Sequence, residues 1–267
     1  MTLLLALTAV LLYFGCAGTM TVRALRGESY RPVAPAMIAA ATVALACHAV
    51  ICYRLLFVSG GLNLSFFAVA TTIAWFIGLI ALFGSLRAPI DKLLIPVYAL
   101  AGLTLFGALA WPGGEETSNH ISPGVASHIL FSILAYAVMT LAAFQAVSLS
   151  VQNHELKARH IRGVLNALPP LQTMEALLFQ ILWVGMVCLT LSIVSGMIFL
   201  DDIFAQHLAH KTFFAIIAWM IFAMLLWGRY QLGWRGLTAI RWTLGGFAVL
   251  MLAYFGSKFV LELILQR

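Results

Sequence analysis

Charged residues are scarce in this 267-residue sequence. Only 9% of the residues are Asp, Glu, Lys or Arg, whereas 63% are hydrophobic. A soluble domain carries about 25% charged residues. The core of a water-soluble protein of this length does not need so many apolar residues. The composition therefore predicts a membrane protein.

Several kinds of functional motif are also missing. The four cysteines form no C-x-x-C pair and all lie within hydrophobic runs, so we expect no disulfide. The sequence contains no glycine-rich nucleotide loop, no G-x-S-x-G elbow and no H-E-x-x-H zinc motif. No pair of acidic residues lies in the middle of a hydrophobic run, which disfavours a proton-coupled transporter. We expect a protein that is not an enzyme.

Eight hydrophobic runs are long enough to cross a bilayer, which takes about 20 residues in a helix. In lipid every backbone polar group must be paired within its segment, so the runs are expected to be helices. The sequence thus predicts an all-α, polytopic membrane protein, with residues 1–267 forming a single integral membrane domain. The eight predicted helices are residues 2–24, 33–57, 63–85, 92–111, 124–152, 176–200, 210–230 and 238–264.

Basic residues are distributed unevenly between the two sides of this predicted bundle. The positive-inside rule places the more basic side in the cytoplasm, which predicts that both termini face outward. A bacterial plasma (inner) membrane is the expected location. Because most of the basic residues lie on one side of the predicted bundle, their placement argues against a nucleic-acid partner. Eleven of the fifteen Lys and Arg residues fall on the cytoplasmic side: Arg23, Arg26, Arg31, Arg87, Lys92, Lys157, Arg159, Arg162, Arg229, Arg235 and Arg241.

Two histidines lie within the predicted helices, where ionisable side chains are costly and point to function. His48 lies in the outer half of the second helix, and His128 lies about one turn into the fifth helix from the same side. Because imidazole binds haem iron, zinc and copper, both are candidate metal ligands. The alternative for each is an interior histidine that is hydrogen-bonded to a neighbouring helix.

The other histidines lie outside the membrane core. Those expected on the outer side could join His128 in a cluster, or remain as solvated loop residues: His120, His207 and His210. Those on the cytoplasmic side are expected to be solvated: His154 and His160.

The second half of the sequence contains four distinctive stretches. They are SHILFSILAYAVMTLAAFQAVSLSVQ (127–152), LPPLQTMEALLFQILWVGMVCLTLSIVSG (168–196), HKTFFAIIAWMIFAMLLWGRYQLGWRG (210–236) and LMLAYFGSKF (250–259). These stretches resemble the helices of the cytochrome c assembly family, the group of CcsA, CcmC and HemX-type proteins. The resemblance is strongest over residues 118–267 and is most specific at GWRG (233–236) and AYFG (253–256). Through CHA (47–49) and GGLNLSF (60–66) it extends to the first half, as in a short eight-span group of inner membrane proteins in this family.

The resemblance implies a haem-handling protein that presents or moves haem at the outer face during cytochrome c maturation, with histidines as axial ligands. Carried over by position, His128 matches the family histidine that opens a helix on the outer side, and His48 matches its early intramembrane histidine. His210 is a further cofactor-binding candidate. The implied partners are the lipid bilayer, haem and other membrane proteins of cytochrome assembly.

The sequence also departs from the family pattern. The tryptophan-rich outer loop that precedes the seventh helix in better-known members is replaced here by DDIFAQHLAH. Trp227 stands where the family has a histidine, and Leu265 lies near the position of another. Because a fold is inherited more safely than an activity, a second hypothesis is a non-catalytic accessory or regulatory protein that retains the fold but has lost haem ligase function.

Overall fold

Eight α-helices make up most of the part of the chain that the structure describes, as the hydrophobic runs predict. The computed structural model describes residues 2–26, 34–58, 61–87, 91–111, 117–118, 122–157, 170–199, 206–256 and 258–259. The helices are α1 Thr2–Leu25, α2 Pro35–Leu56, α3 Phe66–Ser85, α4 Leu94–Ala110, α5 Pro123–Lys157, α6 Leu171–Phe199, α7 Gln206–Gln231 and α8 Leu237–Met251. The all-α polytopic fold class is therefore confirmed.

Seven of the helices are long and apolar enough to cross a membrane. The exception is α4, whose 17 residues are about 26 Å long at the rise of 1.5 Å per residue. Helix α4 follows a short 3₁₀ turn, Asp91–Leu93. Together the turn and the helix fill the predicted fourth hydrophobic run.

The observed helices differ from the predicted ones where a helix ends at a different residue from its hydrophobic run. Helix α5 continues through polar residues to Lys157, five residues beyond its hydrophobic run. Helix α8 ends at Met251 and passes into a π-helical turn, Leu252–Gly256, instead of continuing regularly toward residue 264. Residues 158–169, between α5 and α6, lie outside the described residues.

The helices form two groups of four. In the N-terminal bundle (α1–α4), α1 packs on α2 and α4, and α3 packs on the same two helices. In the C-terminal bundle (α5–α8), α5 packs on α6 and α8, and α7 packs on the same two helices. Contacts between α3 and α5 join the two bundles.

The two ends of the protein differ in character. One end, called here the basic end, carries Arg23, Arg87, Lys92, Arg229 and Arg235. The opposite end, called the sheet end, carries a short antiparallel sheet that the sequence did not predict. Its strands pair in the order β1–β2–β3 and are Phe57–Val58, Gly61–Asn63 and Thr117–Ser118.

The sheet explains one of the distinctive stretches of sequence, GGLNLSF. The backbone of Gly61 has a φ of 151°, a conformation that other residues rarely adopt. Two residues later, the Asn63 Oδ1 atom accepts a hydrogen bond of 2.9 Å from the Ser65 N–H. This bond satisfies a backbone donor directly before α3 begins, so the stretch forms the turn from the sheet into the helix.

Candidate functional site

His128 lies near the sheet end, on the sixth residue of α5, and is half-buried against α6. Its Nδ1 atom is 2.8 Å from the Ser192 carbonyl oxygen. The same carbonyl accepts a hydrogen bond of 3.0 Å from the Ser195 hydroxyl. The imidazole is therefore held at a fixed position on the neighbouring helix.

Gly196 allows this close approach. A Cβ atom at position 196 would lie 3.0 Å from both the Cε1 and the Nδ1 atoms of the His128 ring, which is closer than side chains normally pack. The absence of a side chain thus leaves the space that the imidazole occupies. The side chain that packs against this small residue is the candidate ligand itself.

The hydrogen bond to Ser192 fixes the tautomer of His128. A carbonyl oxygen only accepts hydrogen bonds, so Nδ1 must carry the proton. In the neutral ring Nε2 then holds the lone pair, and it makes no hydrogen bond with any described residue. Histidines that bind metals almost always donate their other N–H group to a carbonyl or carboxylate, and His128 has this arrangement.

A cavity of about 160 Å³ adjoins His128 and is partly open to the outside of the bundle. Helices α5, α6, α7 and α8 and the π-helical turn supply its walls. Most of the lining is apolar, and its hydroxyl groups come from α5, α6, α7 and the π-helical turn. The lining residues are His128, Ser132, Ala135, Tyr136, Leu189, Ser192, Ile193, Gly196, Met197, Lys211, Thr212, Ala215, Leu250, Ala253 and Tyr254.

Two tyrosines fix the α8 side of the cavity. The Tyr136 hydroxyl donates to the Leu250 carbonyl oxygen at 2.7 Å, which ties α5 to α8. The Tyr254 hydroxyl donates to the Leu64 carbonyl oxygen at 2.9 Å, which ties the π-helical turn to the segment between β2 and α3. Both rings line the cavity. Their hydroxyl hydrogen bonds therefore hold this side of the cavity in place.

His48 has different surroundings. It is completely buried in the N-terminal bundle, with its Nδ1 atom 3.1 Å from the Tyr13 hydroxyl and its Nε2 atom 2.8 Å from the Thr71 hydroxyl. Both ring nitrogens therefore have partners, and His48 does not line the cavity beside His128. This geometry favours the interior hydrogen-bonded histidine that was the alternative interpretation, and ligation by His48 stays a prediction.

The remaining histidines are not brought into the cavity by the described structure. His210 is exposed near the start of α7, one residue before Lys211, which does line the cavity. His154 is exposed near the C-terminal end of α5. Helix α7 includes residue 207, but that side chain lies outside the described set, as do the whole of residues 120 and 160.

No group of three or more His, Cys, Asp or Glu side chains is arranged to hold a metal ion in the part of the chain that the structure describes. A bare metal ion bound by protein ligands alone therefore has no support there. Haem needs fewer protein ligands, because the porphyrin supplies four nitrogens and the protein supplies only the axial groups. A single well-placed imidazole is compatible with haem and insufficient for a structural zinc site.

Comparison with known proteins identifies the family. The model for the Cytochrome C assembly protein family matches residues 37–265. The chain belongs to the cytochrome c assembly protein family.

Individual members of the family differ in how much they share with this chain. The inner membrane protein YpjD of Escherichia coli K12 is 33% identical over 229 residues, which are 85% of this chain and 87% of that protein. The cytochrome c biogenesis protein CcsA of Microcystis aeruginosa is 23% identical over 206 residues, 58% of this chain and 63% of that protein. No solved structure is significantly similar to the chain. The YpjD match and the seven apolar helices agree with the prediction of a multi-pass bacterial inner membrane protein.

The family motif GWRG forms a sharp turn between α7 and α8 at the basic end. Gly233 and Gly236 have positive φ angles of 65° and 53°, which only glycine adopts without strain. Between them, the Trp234 ring packs where a Cβ at Gly228 would lie, 2.5 Å from its nearest atoms. The motif is thus explained by backbone geometry and by the packing of one tryptophan.

An ion pair that the sequence did not reveal holds this turn against α6. The Glu175 carboxylate accepts a hydrogen bond of 2.7 Å from Arg229 and another of 3.1 Å from the Gly236 N–H. Arg229 also donates to the Trp234 carbonyl oxygen at 3.2 Å and lies 4.6 Å from the centre of the Phe179 ring. Glu175 and Arg229 are 54 residues apart, so no local pattern pairs them. We assign this cluster a structural role, because it lies at the opposite end of the bundle from the cavity.

Trp227 stands where the resemblance to better-known family members leads to the expectation of a histidine. It lies on α7 and is 53% exposed on the outside of the bundle, and it does not line the cavity beside His128. Leu265 lies outside the described residues. At neither position does this chain have the histidine that the family resemblance implies.

Proposed function

We propose that this protein binds haem at the sheet end through the Nε2 atom of His128, and that it presents haem to other membrane proteins of cytochrome assembly. The supporting observation is the hydrogen bond from His128 Nδ1 to the Ser192 carbonyl oxygen. That bond orients the ring and leaves Nε2 as the basic nitrogen beside a largely apolar cavity. Membership of the cytochrome c assembly family supports the same general role.

The donor groups suit haem, while the cavity is too small to enclose it. Enclosed ligand pockets have volumes of roughly 300–1,000 Å³, against about 160 Å³ here. The cavity is partly open, so part of the porphyrin would be covered by protein and the rest by lipid. A partly open binding site of this kind favours a protein that carries or presents haem, because haem must leave such a protein again. A protein that retains haem as its cofactor would enclose it.

The residues of this chain would act only by binding and orientation. His128 supplies the axial nitrogen, Ser192 holds its ring, and Gly196 leaves room for that ring. Haem, when bound, is the cargo that the receiving protein needs. No bond to the porphyrin is made or broken by this chain, in keeping with the expectation that the protein is not an enzyme.

We further propose that the sheet end faces the outside of the cell, because the basic end then satisfies the positive-inside rule. A topology reporter fused after Arg267 is expected to be active on the external side. Activity of that fusion in the cytoplasm would reverse the orientation and move the proposed site to the inner face.

The proposal is tested by absorption spectroscopy of the protein purified in a non-ionic detergent from haem-replete cells. We expect a Soret band that is lost in His128→Ala, because the axial nitrogen is gone. The matched control is His154→Ala, which removes an exposed histidine from the basic end of the same helix and should keep the band. A Soret band that is retained equally in His128→Ala and His154→Ala would show that His128 is not the ligand.

The second ligand position is assigned by the same measurement. We propose His210 over His48, because the two residues that follow His210 on α7 line the cavity, whereas both nitrogens of His48 already have partners. His210→Ala should therefore change the band from a six-coordinate to a five-coordinate spectrum, and His48→Ala should not.

An accessory role without haem is the second candidate function. The absence of histidine at Trp227 and Leu265 and the small volume of the cavity favour it. A colourless protein that takes up neither ferric nor ferrous haem added in vitro would support this role and contradict the first proposal.

A further inference from the structure

A second recess, called here the α2–α3 groove, lies between two helices of the N-terminal bundle. It has a volume of about 290 Å³, is open to the outside of the bundle and is almost entirely apolar. Five residues from each helix line it, at the same spacing of i, i+4, i+7, i+8 and i+11, so each helix presents one face to the groove. On α2 the small side chains of Ala46 and Ala49 leave the space, while α3 supplies large side chains.

The length of the groove matches one leaflet of a bilayer. On α2 the lining runs from Ile38 to Ala49, and on α3 it runs from Leu86 to Trp75. Eleven residue steps in a helix are about 17 Å, and half of the hydrocarbon core is about 15 Å. The groove therefore extends from the basic end to about the middle of the membrane, where the Trp75 indole N–H donates to the Leu45 carbonyl oxygen at 2.9 Å and ties the two helices together.

The width of the groove suits a hydrocarbon chain and not a helix. A volume of about 290 Å³ spread over about 17 Å of helix length leaves a channel that is about 4 Å wide, close to the contact distance between packed carbon atoms. A transmembrane helix with its side chains is about 10–12 Å across. A single acyl chain can therefore lie in the groove, whereas a helix of a partner protein can only cover it.

A cation lies at the end of the groove that faces the membrane surface. Arg87 directly follows Leu86, which lines the groove, and its backbone N–H is fixed by a 3.0 Å hydrogen bond to the Gly84 carbonyl oxygen. Its side chain is exposed and makes no ion pair or hydrogen bond with any residue that the structure describes. A basic residue at the membrane surface attracts anionic lipids.

We propose that the α2–α3 groove binds an anionic phospholipid from the leaflet at the basic end. One acyl chain lies in the groove, and the guanidinium group of Arg87 binds the phosphate of the headgroup. Charge and shape each contribute separately to this site, since Arg87 recognises the anionic headgroup and Ala46 leaves room for the chain. The site concerns the N-terminal bundle alone and does not depend on haem binding at His128.

The experiment titrates the purified full-length protein, in a non-ionic detergent, with dioleoyl phosphatidylglycerol or dioleoyl phosphatidylcholine. Native mass spectrometry gives the Kd of the first bound lipid. The two lipids have the same chains and differ in net charge, so wild type should bind phosphatidylglycerol about fivefold more tightly, the preference expected for one basic residue near an anionic headgroup. Arg87→Gln should remove this preference and Arg87→Lys should keep it. Ala46→Leu should weaken the binding of both lipids about tenfold, as expected for lost burial of about two methylene groups.

Two matched controls lie on α8 in the C-terminal bundle. Arg241→Gln removes an exposed cation, and Ala248→Leu adds the same side chain at an exposed position outside the groove. Neither should change the affinity for either lipid. The proposal is overturned if wild type shows no preference for phosphatidylglycerol, or if each control has the same effect as its counterpart in the groove. A wild-type dimer that Ala46→Leu converts to a monomer in the same spectra would show that a second copy of the chain covers the groove, and it would also overturn the assignment to lipid.

Discussion

Among the described side chains, the N-terminal and C-terminal bundles each hold one histidine between their helices, His48 in the first and His128 in the second. Both are partners in short hydrogen bonds to other helices, and both occur in stretches that resemble the same family. They differ at one atom. Each nitrogen of His48 has a protein partner, whereas His128 has a partner at Nδ1 and none among the described residues at Nε2.

Burial follows the same division. His48, Tyr13 and Thr71 are completely buried, so their network is sealed within helices α1, α2 and α3. His128 is half-buried beside a cavity that is partly open. The comparison teaches that two histidines within membrane helices can differ in how many of their ring nitrogens have protein partners, and that only His128 keeps a nitrogen without a partner among the described residues.

The sharpest test of this comparison is the loss of stability when each histidine is removed. His48→Ala should lower the free energy of unfolding by about 3 kcal/mol, because it leaves two buried hydroxyl groups without their partner and opens a cavity. His128→Ala should lower it by about 1 kcal/mol, since one hydrogen bond at a half-exposed position is lost. SDS-induced unfolding in mixed micelles provides the measurement.

The control for both variants is His154→Ala, at an exposed position where the change should be within about 0.5 kcal/mol. If His48→Ala were as mild as His154→Ala, the hydrogen-bonded network in the N-terminal bundle would not be structural. The comparison between the two histidines would then lose its basis.

A second test concerns how the C-terminal bundle is held at the end opposite the cavity. Glu175→Gln should lower the free energy of unfolding by about 2 kcal/mol. This figure lies between the values for exposed and buried ion pairs, because the Glu175 side chain is 11% exposed and that of Arg229 is 29% exposed. The glutamine can still accept the bond from the Gly236 N–H, so the effect reports the charge.

Hydrogen exchange shows where that loss is felt. Protection in Glu175→Gln should fall in α7 and α8 and stay unchanged in α1 and α2, which belong to the other bundle. Glu155→Gln, near the end of α5, is the control. A uniform loss of protection across both bundles would mean that they unfold as one unit and that the ion pair is not a local anchor.

The sequence was sufficient to predict the eight helices because lipid imposes a minimum length on each apolar run. The sequence predicted the ends of the helices less well, because a helix does not have to end where its hydrophobic run ends. Helix α5 continues to Lys157 because polar residues can be helical outside the lipid. The π-helical turn after Met251 depends on partners far along the chain, since Tyr254 binds Leu64, 190 residues away.

The candidate site was predictable only in part for the same reason. His128 is visible in the sequence as an ionisable residue at the start of an apolar run, and the resemblance to the family gave it a role. Its tautomer depends on a carbonyl oxygen 64 residues away on α6, which no spacing reveals. Lys211 resembles any lysine at the start of a helix until α7 is packed against α6 and α8.

The smallest effect is expected from filling the space beside the His128 ring. Gly196→Ala puts a Cβ 3.0 Å from the Cε1 and Nδ1 atoms of the imidazole, so the ring must move by a few tenths of an ångström and its bond to the Ser192 carbonyl must lengthen. Stability should change little, because Ala favours the helix more than Gly does by about 1 kcal/mol, which offsets the crowding. Haem affinity should fall about fivefold, which corresponds to about 1 kcal/mol, because the axial nitrogen is displaced.

The control is Gly245→Ala on α8, where a new Cβ meets nothing within 4 Å. Since both variants add one methyl group to a helix of the C-terminal bundle, a loss of affinity in Gly196→Ala alone ties haem binding to the orientation of this one imidazole, and equal affinities would show that binding does not depend on its exact position.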